Sequence, residues 1–317
     1  MNNIINNIDE NIDKLSTQTL TKYNLEKEQR KVTILSRPNI TPEKLTKEDI
    51  SEIKNKKLGD ELIKFRKKLY QKVNNKNLSL LNNNLSSLKV KIRYLAPEIL
   101  TLKVAAGKYN VIKNKITMLN FLKNEALNHE LLHMATAFYD KKLKIGFCGF
   151  QQILFYKKES LGRGLNEGYT QLISRRYFNE NNNCVIDGYN VCMHFAEKLE
   201  EIVGKDRMEI FYFNADFMGL YEYLTKFGES SNIATFIAIL DNFVKKRSIL
   251  DIKNDIEHKL LICYLSKWFI KKKEEELSKN IIDKVAFDKQ INDYLNSLDA
   301  KELYLENYDK QKEYCLK

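Results

Sequence analysis

Histidine, paired cysteines and long apolar runs are scarce or missing in this sequence. Only four of its 317 residues are histidine, at positions 129, 133, 194 and 258. Its five cysteines are an odd number without C-x-x-C spacing, which favours free thiols in a reducing compartment over a disulfide framework. No stretch approaches the roughly 20 apolar residues that cross a bilayer. The N-terminus shows no signal-peptide pattern, so we expect a cytoplasmic protein without a membrane span.

The overall composition is globular and basic. Hydrophobic residues make up 43% of the chain, the formal net charge is +11 and the pI is about 9.1. This charge is compatible with acidic partners, nucleic acid or membrane headgroups, and it specifies none of them. A nucleic-acid-binding protein is therefore an alternative that rests on charge alone, and we do not expect nucleic acid as the partner. Such a protein would bind in a salt-dependent way that survives loss of metal.

Two of the four histidines stand in the motif His129-Glu130-Leu131-Leu132-His133, which spells H-E-x-x-H. Histidines four apart on a helix lie one turn above each other, so both imidazoles can reach one metal ion. The glutamate beside the first histidine can then take a proton from a water at the metal. The sequence therefore predicts a metal site with a general base at Glu130.

The residues around this motif argue against a surface helix that carries the spelling by chance. Apolar residues occur on several sides of the helix, which is typical of an element buried in a core. A buried histidine pair needs a partner, and a metal satisfies both rings. The apolar positions are Leu122, Ala126, Leu127, Met134, Ala137 and Phe138.

A third ligand is needed, because a catalytic zinc is held by three protein side chains and keeps one position for water. Downstream of the motif, Leu165-Asn166-Glu167-Gly168 opens a second helical segment. Together, H-E-x-x-H and this L-N-E-G stretch resemble the gluzincin clan of metallopeptidases, including the aminopeptidase N and thermolysin-like families. The resemblance covers roughly residues 86 to 178 and implies that His129, His133 and Glu167 bind Zn²⁺ while Glu130 activates water.

Two features of the ligand region differ from those families or leave alternatives open. The 33 residues from 134 to 166 separate His133 from Glu167, more than is usual in either family, and the segment Lys142–Arg163 must form a substantial loop or hairpin. Glu167 could instead be an ordinary carboxylate at a helix start, and Cys148 in the intervening segment could supply a thiolate ligand.

Supporting residues can be proposed around the ligands. Asn166 and Gln171 could hold the imidazole N–H groups or the Glu167 carboxylate, or could simply face solvent. Gluzincins commonly use a further Tyr or His to stabilise the oxyanion, and Tyr212, Tyr221 and Tyr223 are the candidates here. In that clan the strand beside the motif helix pairs with substrate backbone, which points to Ile116–Leu119 as a wall of the cleft.

The expected fold is α+β and zincin-like, with a small, mostly antiparallel sheet packed on the motif helix and a mainly helical C-terminal lobe. Strands are expected at Leu88–Leu95, within Ile99–Val104, and on both sides of a turn at Lys113-Asn114. We expect an N-terminal arm and helical segment (1–85), a catalytic core (86–180) and the helical lobe (181–317).

The expected function is zinc-dependent hydrolysis of peptide bonds, with a peptide or protein as substrate. The alternative is a zincin-fold protein that binds a metal or a partner and has no peptidase activity. The lack of a G-x-M-E-N-like signature ahead of the motif favours an endopeptidase over an aminopeptidase. Neither the oligomeric state nor the cleavage specificity follows from the sequence.

Overall fold

The computed structural model describes residues 8–17, 35–36, 38–39, 41, 44–74, 77–93, 107–119, 123–178, 187–244 and 256–298. Over these ranges the protein is α+β and mostly helical, with two small sheets. The predicted α+β class is therefore confirmed. The predicted strand within Ile99–Val104 lies outside the described residues.

Four helices precede the first sheet in the ranges that the structure describes. They are α1 (8–17), α2 (Lys47–Lys54), α3 (Gly59–Lys72) and α4 (Ser79–Ser87). Helix α2 starts at a capping box in which the Thr46 hydroxyl accepts from Asp49 N–H while the Asp49 carboxylate accepts from Thr46 N–H. Helix α4 packs against the motif helix, and its Asn84 amide donates to the carbonyls of Met134 and Ala137, both at 2.7 Å. This amide thereby binds backbone at the C-terminal end of the motif helix.

The first sheet is mixed and has the strand order β1-β3-β2. Strand β1 (Lys89–Arg93) runs parallel to β3 (Lys115–Leu119), and β2 (Gly107–Asn110) runs antiparallel to β3. The expected strand–turn–strand unit is confirmed, since Asn114 ends the turn with a φ of 40°. The expectation that Ile116–Leu119 borders the cleft as an edge is wrong, because β3 is paired on both sides. The strand with one partner beside the motif helix is β2, as far as the described residues show.

The motif helix α5 (Lys123–Ala135) and the helix that carries Glu167, α6 (Arg163–Phe178), are joined by the second sheet. The predicted loop or hairpin is in fact a four-stranded antiparallel meander in the order β4-β5-β6-β7. Its short strands alternate with turns, which sequence periodicity does not resolve at this length. The strands are β4 (Ala137–Asp140), β5 (Ile145–Cys148), β6 (Gln151–Leu154) and β7 (Glu159–Leu161).

The described part of the chain after residue 186 consists of helices and their connections. The helices are α7 (Asp187–Val203), α8 (Lys205–Phe213), α9 (Phe217–Leu224), α10 (Ser230–Phe243), α11 (Ile256–Ser278) and α12 (Lys284–Leu298). Helix α6 packs closely on α7 and α10, and Gly168 permits this, because a β-carbon there would lie 2.4 Å from the Cys192 carbonyl. The predicted helical C-terminal part is thus confirmed over the described residues.

One apolar cluster contains side chains from α1 to α12 and includes the only tryptophan, Trp268. The division at residues 85 and 180 stays a prediction, because this cluster draws on all three segments. Within the described residues, none of the helices combines the length and apolarity needed to span a bilayer.

Candidate metal centre

Helix α5 lies deep in the protein along its C-terminal half. Leu131, Leu132 and Met134 have no exposed surface, while His129 and His133 are each 7% exposed. The helix is held by β2 and β3 on one side and by α4 and α6 on others. The sequence argument that this helix is buried is confirmed, so its histidines need partners inside the protein.

The three predicted ligands converge on one point. His129 Nε2 lies 3.1 Å from His133 Nε2 and 3.1 Å from Glu167 Oε2, and His133 Nε2 lies 3.3 Å from the same oxygen. A tetrahedral metal with bonds of about 2.0–2.1 Å keeps its ligand atoms roughly 3.3 Å apart. The near-equilateral triangle thus has the size of one face of such a site, and the buried triad can hold a metal ion.

Helix α6 brings the third ligand to the histidines from its first turn and a half. Its N-terminus is capped by Asp241, whose carboxylate accepts from the backbone N–H groups of Gly162 at 2.9 Å and Gly164 at 2.7 Å. A β-carbon on Gly164 would lie 2.2 Å from the Leu240 carbonyl, so this approach of α6 to α10 requires glycine. The helix start and Glu167 are thereby fixed by contacts with α10.

Gln171 orients the first histidine. Its Oε1 lies 3.2 Å from His129 Nδ1, and the Gln171 side chain is buried. An amide oxygen there accepts the Nδ1 proton, which leaves the Nε2 lone pair pointing at the triad. The predicted role of Gln171 in holding an imidazole N–H is confirmed, and the alternative that it faces solvent is wrong.

The second histidine has two neighbours at Nδ1. Asn166 Nδ2 lies 3.3 Å from this nitrogen and Cys148 Sγ lies 3.7 Å from it. The Asn166 Oδ1 points to the Phe150 N–H at 3.2 Å and only its amide nitrogen faces the ring, so of the two neighbours the sulfur is the one that can accept an Nδ1 proton. Cys148 is therefore on the opposite side of the ring from the triad, and the alternative that it supplies a thiolate ligand is wrong.

Charge coupling inside the triad is strong. Burial raises the pKa of Glu167, but the charges and hydrogen bonds of His133 and His129 lower it more, so that its carboxyl is ionised well below the usual range. Burial lowers the pKa of His133, yet Glu167 and Cys148 raise it well above its ordinary value. The carboxylate thus supplies a fixed negative charge to a cation in this pocket.

Glu130 lies beside the triad with part of its carboxylate unused. The Tyr109 N–H donates to this carboxylate, while Oε2 is buried and has no hydrogen-bond partner among the described residues. Burial raises the pKa of Glu130, and the positive charges of His133 and His129 oppose that increase. A buried carboxylate oxygen without a protein partner fits a water or substrate atom that shares the pocket with a metal ion.

Tyr189 and Arg163 are site residues that the sequence did not identify. The Tyr189 ring stacks on the His129 ring with centroids 6.3 Å apart and planes 10° apart. Arg163 hydrogen-bonds to Tyr189, and its Nε lies 3.8 Å from Glu167 Oε1, the oxygen that faces away from the histidines. The only available signal was position: Arg163 is four residues before Glu167, and Tyr189 follows the asparagine-rich run.

The three tyrosines proposed from the sequence are occupied elsewhere. The hydroxyl of Tyr212 is 2.7 Å from Thr170 Oγ1, and the hydroxyl of Tyr221 donates to the Ser230 carbonyl at 3.1 Å. The Tyr223 ring packs under the Arg207 guanidinium, 4.4 Å from its carbon.

The site as a whole offers two imidazole nitrogens and a carboxylate oxygen to one cation, with a second buried carboxylate beside them. This donor set suits a divalent transition metal such as zinc and leaves room for a further ligand. No protein-family model, curated protein or solved structure gives a significant match to this chain.

Proposed function

We propose that the protein is a zinc-dependent metallopeptidase of the gluzincin type, built on a zincin-like fold. The observation that carries the proposal is the triangle of His129, His133 and Glu167 atoms beside a Glu130 oxygen that has no hydrogen-bond partner within the described part of the chain. The order of a small sheet, the H-E-x-x-H helix and a glutamate-bearing helix supports the zincin-like assignment.

The metal would be held by His129, His133 and Glu167, whose two nitrogens and one oxygen match the His₂Glu set of catalytic zinc sites. When bound, zinc supplies a Lewis acid that polarises a carbonyl and brings the pKa of a water toward about 7. Gln171 and Cys148 orient the two imidazoles from behind.

Glu130 would carry the proton in this reaction. Its Oε2 accepts a proton from the attacking water and then passes the proton to the leaving amine. Burial raises the pKa of this carboxyl above its ordinary value, which brings the acid and base forms closer in energy near neutral pH. The Tyr109 N–H holds the same carboxylate in place from β2.

The Tyr189 hydroxyl would act next to the triad, since its ring stacks on His129. The guanidinium of Arg163 binds this hydroxyl and so fixes the direction of its proton. A phenol held in this way can donate a hydrogen bond to an oxygen that gains negative charge. We place an extended peptide along β2, whose Tyr109 N–H already faces the catalytic carboxylate.

The test is a comparison of wild type with Glu130→Gln for zinc content and for cleavage of unfolded protein substrates and a peptide library. We expect one zinc per chain in both proteins and a loss of at least about 1,000-fold in kcat/KM in the variant. Glu222→Gln is the matched control, because Glu222 is an exposed residue on α9.

Two outcomes would contradict the proposal. Equal cleavage by wild type and Glu130→Gln would mean that the activity belongs to a contaminant or to another site. The second outcome is a wild type that binds zinc through His129 and His133 but cleaves no peptide. It would leave the alternative of a metal-binding protein without peptidase activity.

A further inference from the structure

Three turns of the two sheets have the same construction. They comprise residues 111–114 between β2 and β3, 141–144 between β4 and β5, and 155–158 between β6 and β7. Each has four residues and ends in a left-handed position, with φ of 40° at Asn114, 55° at Lys144 and 57° at Lys158. We refer to these three segments as the tip turns.

The tip turns meet at one end of the two sheets. The Phe155 N–H donates to the Lys144 carbonyl at 3.3 Å, which joins the second turn to the third. A β-carbon on Gly146 would lie 3.1 Å from the Phe155 ring and 3.3 Å from the Val111 side chain, so the first turn reaches the same point. The Tyr139 and Phe155 rings add an edge contact at 5.6 Å.

Each tip turn exposes one large apolar side chain. Ile112 is 46% exposed, Leu143 is 52% exposed and Tyr156 is 57% exposed. Only three other large apolar side chains are exposed among the described residues, and these are on helices α8 and α12 or just before α12: Ile210, Ile281 and Val285. Exposed apolar residues therefore concentrate at the tip turns.

The charge around these apolar residues is strongly positive. The acidic residues on or beside the tip turns, as far as the structure describes them, are Asp140, whose carboxylate accepts from the backbone N–H groups of Lys142 and Leu143 at 2.8 and 3.0 Å, and Glu159; lysines outnumber them. The Lys157 ammonium lies 5.7 Å from the Tyr156 ring centroid, so a cation and an apolar body stand together. The exposed lysines on or beside the tip turns are Lys108, Lys113, Lys141, Lys142, Lys144, Lys157 and Lys158.

We propose that the tip turns dock the protein on an anionic membrane surface. Isolated apolar side chains ringed by lysines fit a lipid interface, where the apolar groups enter the headgroup layer and the ammonium groups bind lipid phosphates. A nucleic acid would use the lysines, but it would leave the aliphatic side chains of Ile112 and Leu143 without a partner. The occupant is thus a bilayer that carries negative headgroups.

The docking surface is oriented relative to the metal centre. Strand β2 starts at Gly107 against Glu130, and β4 starts just after the helix that carries His133; both strands then run toward the tip turns. Four-residue strands at about 3.3 Å per residue place the tips roughly 13 Å from the centre. This proposal does not rest on the peptidase activity, because it uses residues outside the metal site.

Vesicle flotation tests the proposal with the full chain and with liposomes of phosphatidylcholine alone or with about 30% phosphatidylserine. We expect binding to the anionic vesicles only, and weaker binding as NaCl rises from about 0.05 to 0.5 M. The triple variant Ile112→Ser, Leu143→Ser, Tyr156→Ser should bind at least about tenfold more weakly. Reversal of Lys141, Lys142 and Lys157 to Glu should weaken binding more than about 100-fold.

Two matched control variants test whether membrane binding depends on the tip turns or on the hydrophobicity and charge of the protein surface in general. One control is the triple variant Ile210→Ser, Ile281→Ser, Val285→Ser, which removes the other exposed apolar side chains of the described residues. The second control is the triple variant Lys64→Glu, Lys67→Glu, Lys72→Glu, which makes the same charge change on α3. Both controls should bind like wild type. A Tyr156→Trp variant should show emission quenched by brominated lipid, because the one native tryptophan, Trp268, is fully buried.

Three outcomes would overturn the proposal. One is a wild type that does not float with anionic vesicles, and another is tip variants that bind no more weakly than their matched controls. The third is lysine-dependent binding to nucleic acid together with no binding to vesicles, which would assign the surface to a different class of partner.

Discussion

Gly107 lies directly against Glu130, so that a β-carbon added to the glycine would stand 2.6 Å from Glu130 Cγ and 3.1 Å from Oε1. Both atoms belong to a buried side chain whose carboxylate cannot move without leaving the Tyr109 N–H. The edge strand β2 can therefore approach the proposed general base only because this position has no side chain.

We expect Gly107→Ala to lower kcat about 100-fold through displacement of the Glu130 carboxylate. Zinc content should stay at the wild-type value, because the three ligands come from α5 and α6. Lys108→Ala, a change at the next residue of β2 that removes an exposed side chain, is the control. Wild-type kcat in Gly107→Ala would show that the position of Glu130 does not limit the reaction.

Gln171→Ala is expected to weaken zinc binding by about 10- to 100-fold, since His129 loses the acceptor at 3.2 Å that fixes its tautomer. Competition with a chromophoric chelator measures this change. Gln151→Ala removes a glutamine side chain on β6 whose partner is Ser160, and it should leave the affinity unchanged. Equal zinc affinity in Gln171→Ala and wild type would contradict the role assigned to this amide.

A buried network behind α6 makes a prediction about stability. Arg176 binds both oxygens of Glu200 at 2.6 and 2.9 Å, and the Tyr169 hydroxyl donates to the same carboxylate at 2.6 Å. Arg176→Ala leaves this carboxylate without its counterion and should lower the free energy of unfolding by about 3 kcal/mol. Urea denaturation checks the value.

The control for this network is an ion pair on the surface. Lys279→Ala breaks an exposed contact with Glu275, and its free energy of unfolding should match that of wild type within measurement error. A small effect of Arg176→Ala, equal to that of Lys279→Ala, would mean that solvent reaches Glu200 and replaces the guanidinium.

Because His194 is buried, we expect the free energy of unfolding to fall in mild acid. Burial together with the charges of Lys198 and His258 lowers its pKa to about 4, and the hydrogen bond to the Leu298 carbonyl opposes this only partly. The folded state therefore binds fewer protons than the unfolded state between pH 4 and the ordinary value of about 6.5. The neutral His194 side chain therefore makes its full contribution to the free energy of unfolding above about pH 6.5. This contribution, roughly 3 kcal/mol, is lost as the pH falls to 4.

The measurement is the free energy of unfolding at several pH values for wild type and His194→Leu. All other titrating groups are common to the two proteins, so the difference between their profiles isolates His194. The variant should lose less stability between pH 7 and 4.5. Parallel profiles would show that His194 binds protons equally in the folded and unfolded states, as a solvent-accessible imidazole does.

The sequence predicted those parts of the site that depend on local spacing. His129 and His133 share a helix face by their separation of four residues, and the burial of α5 followed from apolar residues on several sides. A resemblance in four letters around Glu167 was enough to propose this residue as the third ligand. Gln171 could then be proposed because it stands on the same helix, four residues beyond Glu167.

The parts that sequence did not predict depend on contacts between distant segments. Tyr189 belongs to α7 and contacts His129 because α7 packs on α6 beside the motif helix. The periodicity of the sequence does not predict such a contact between distant segments. Which strand lies at the edge beside α5 depends on strand order, and β3 was taken as the edge although β1 pairs with it in parallel. Short strands of three or four residues left the meander without a recognisable pattern.

The meander between His133 and Glu167 also affects how the metal centre forms during folding. Two of the donor groups come together within a single turn of α5, whereas the carboxylate must be brought back across the residues of β4 to β7. We therefore expect tight metal binding only in chains in which the meander has closed, and weak competition for the ion from the unfolded chain. A metal at about 100 times its dissociation constant then adds roughly 2.7 kcal/mol to the folded state. Zinc uptake during refolding would accordingly report the closure of this long loop rather than the earlier formation of the helix.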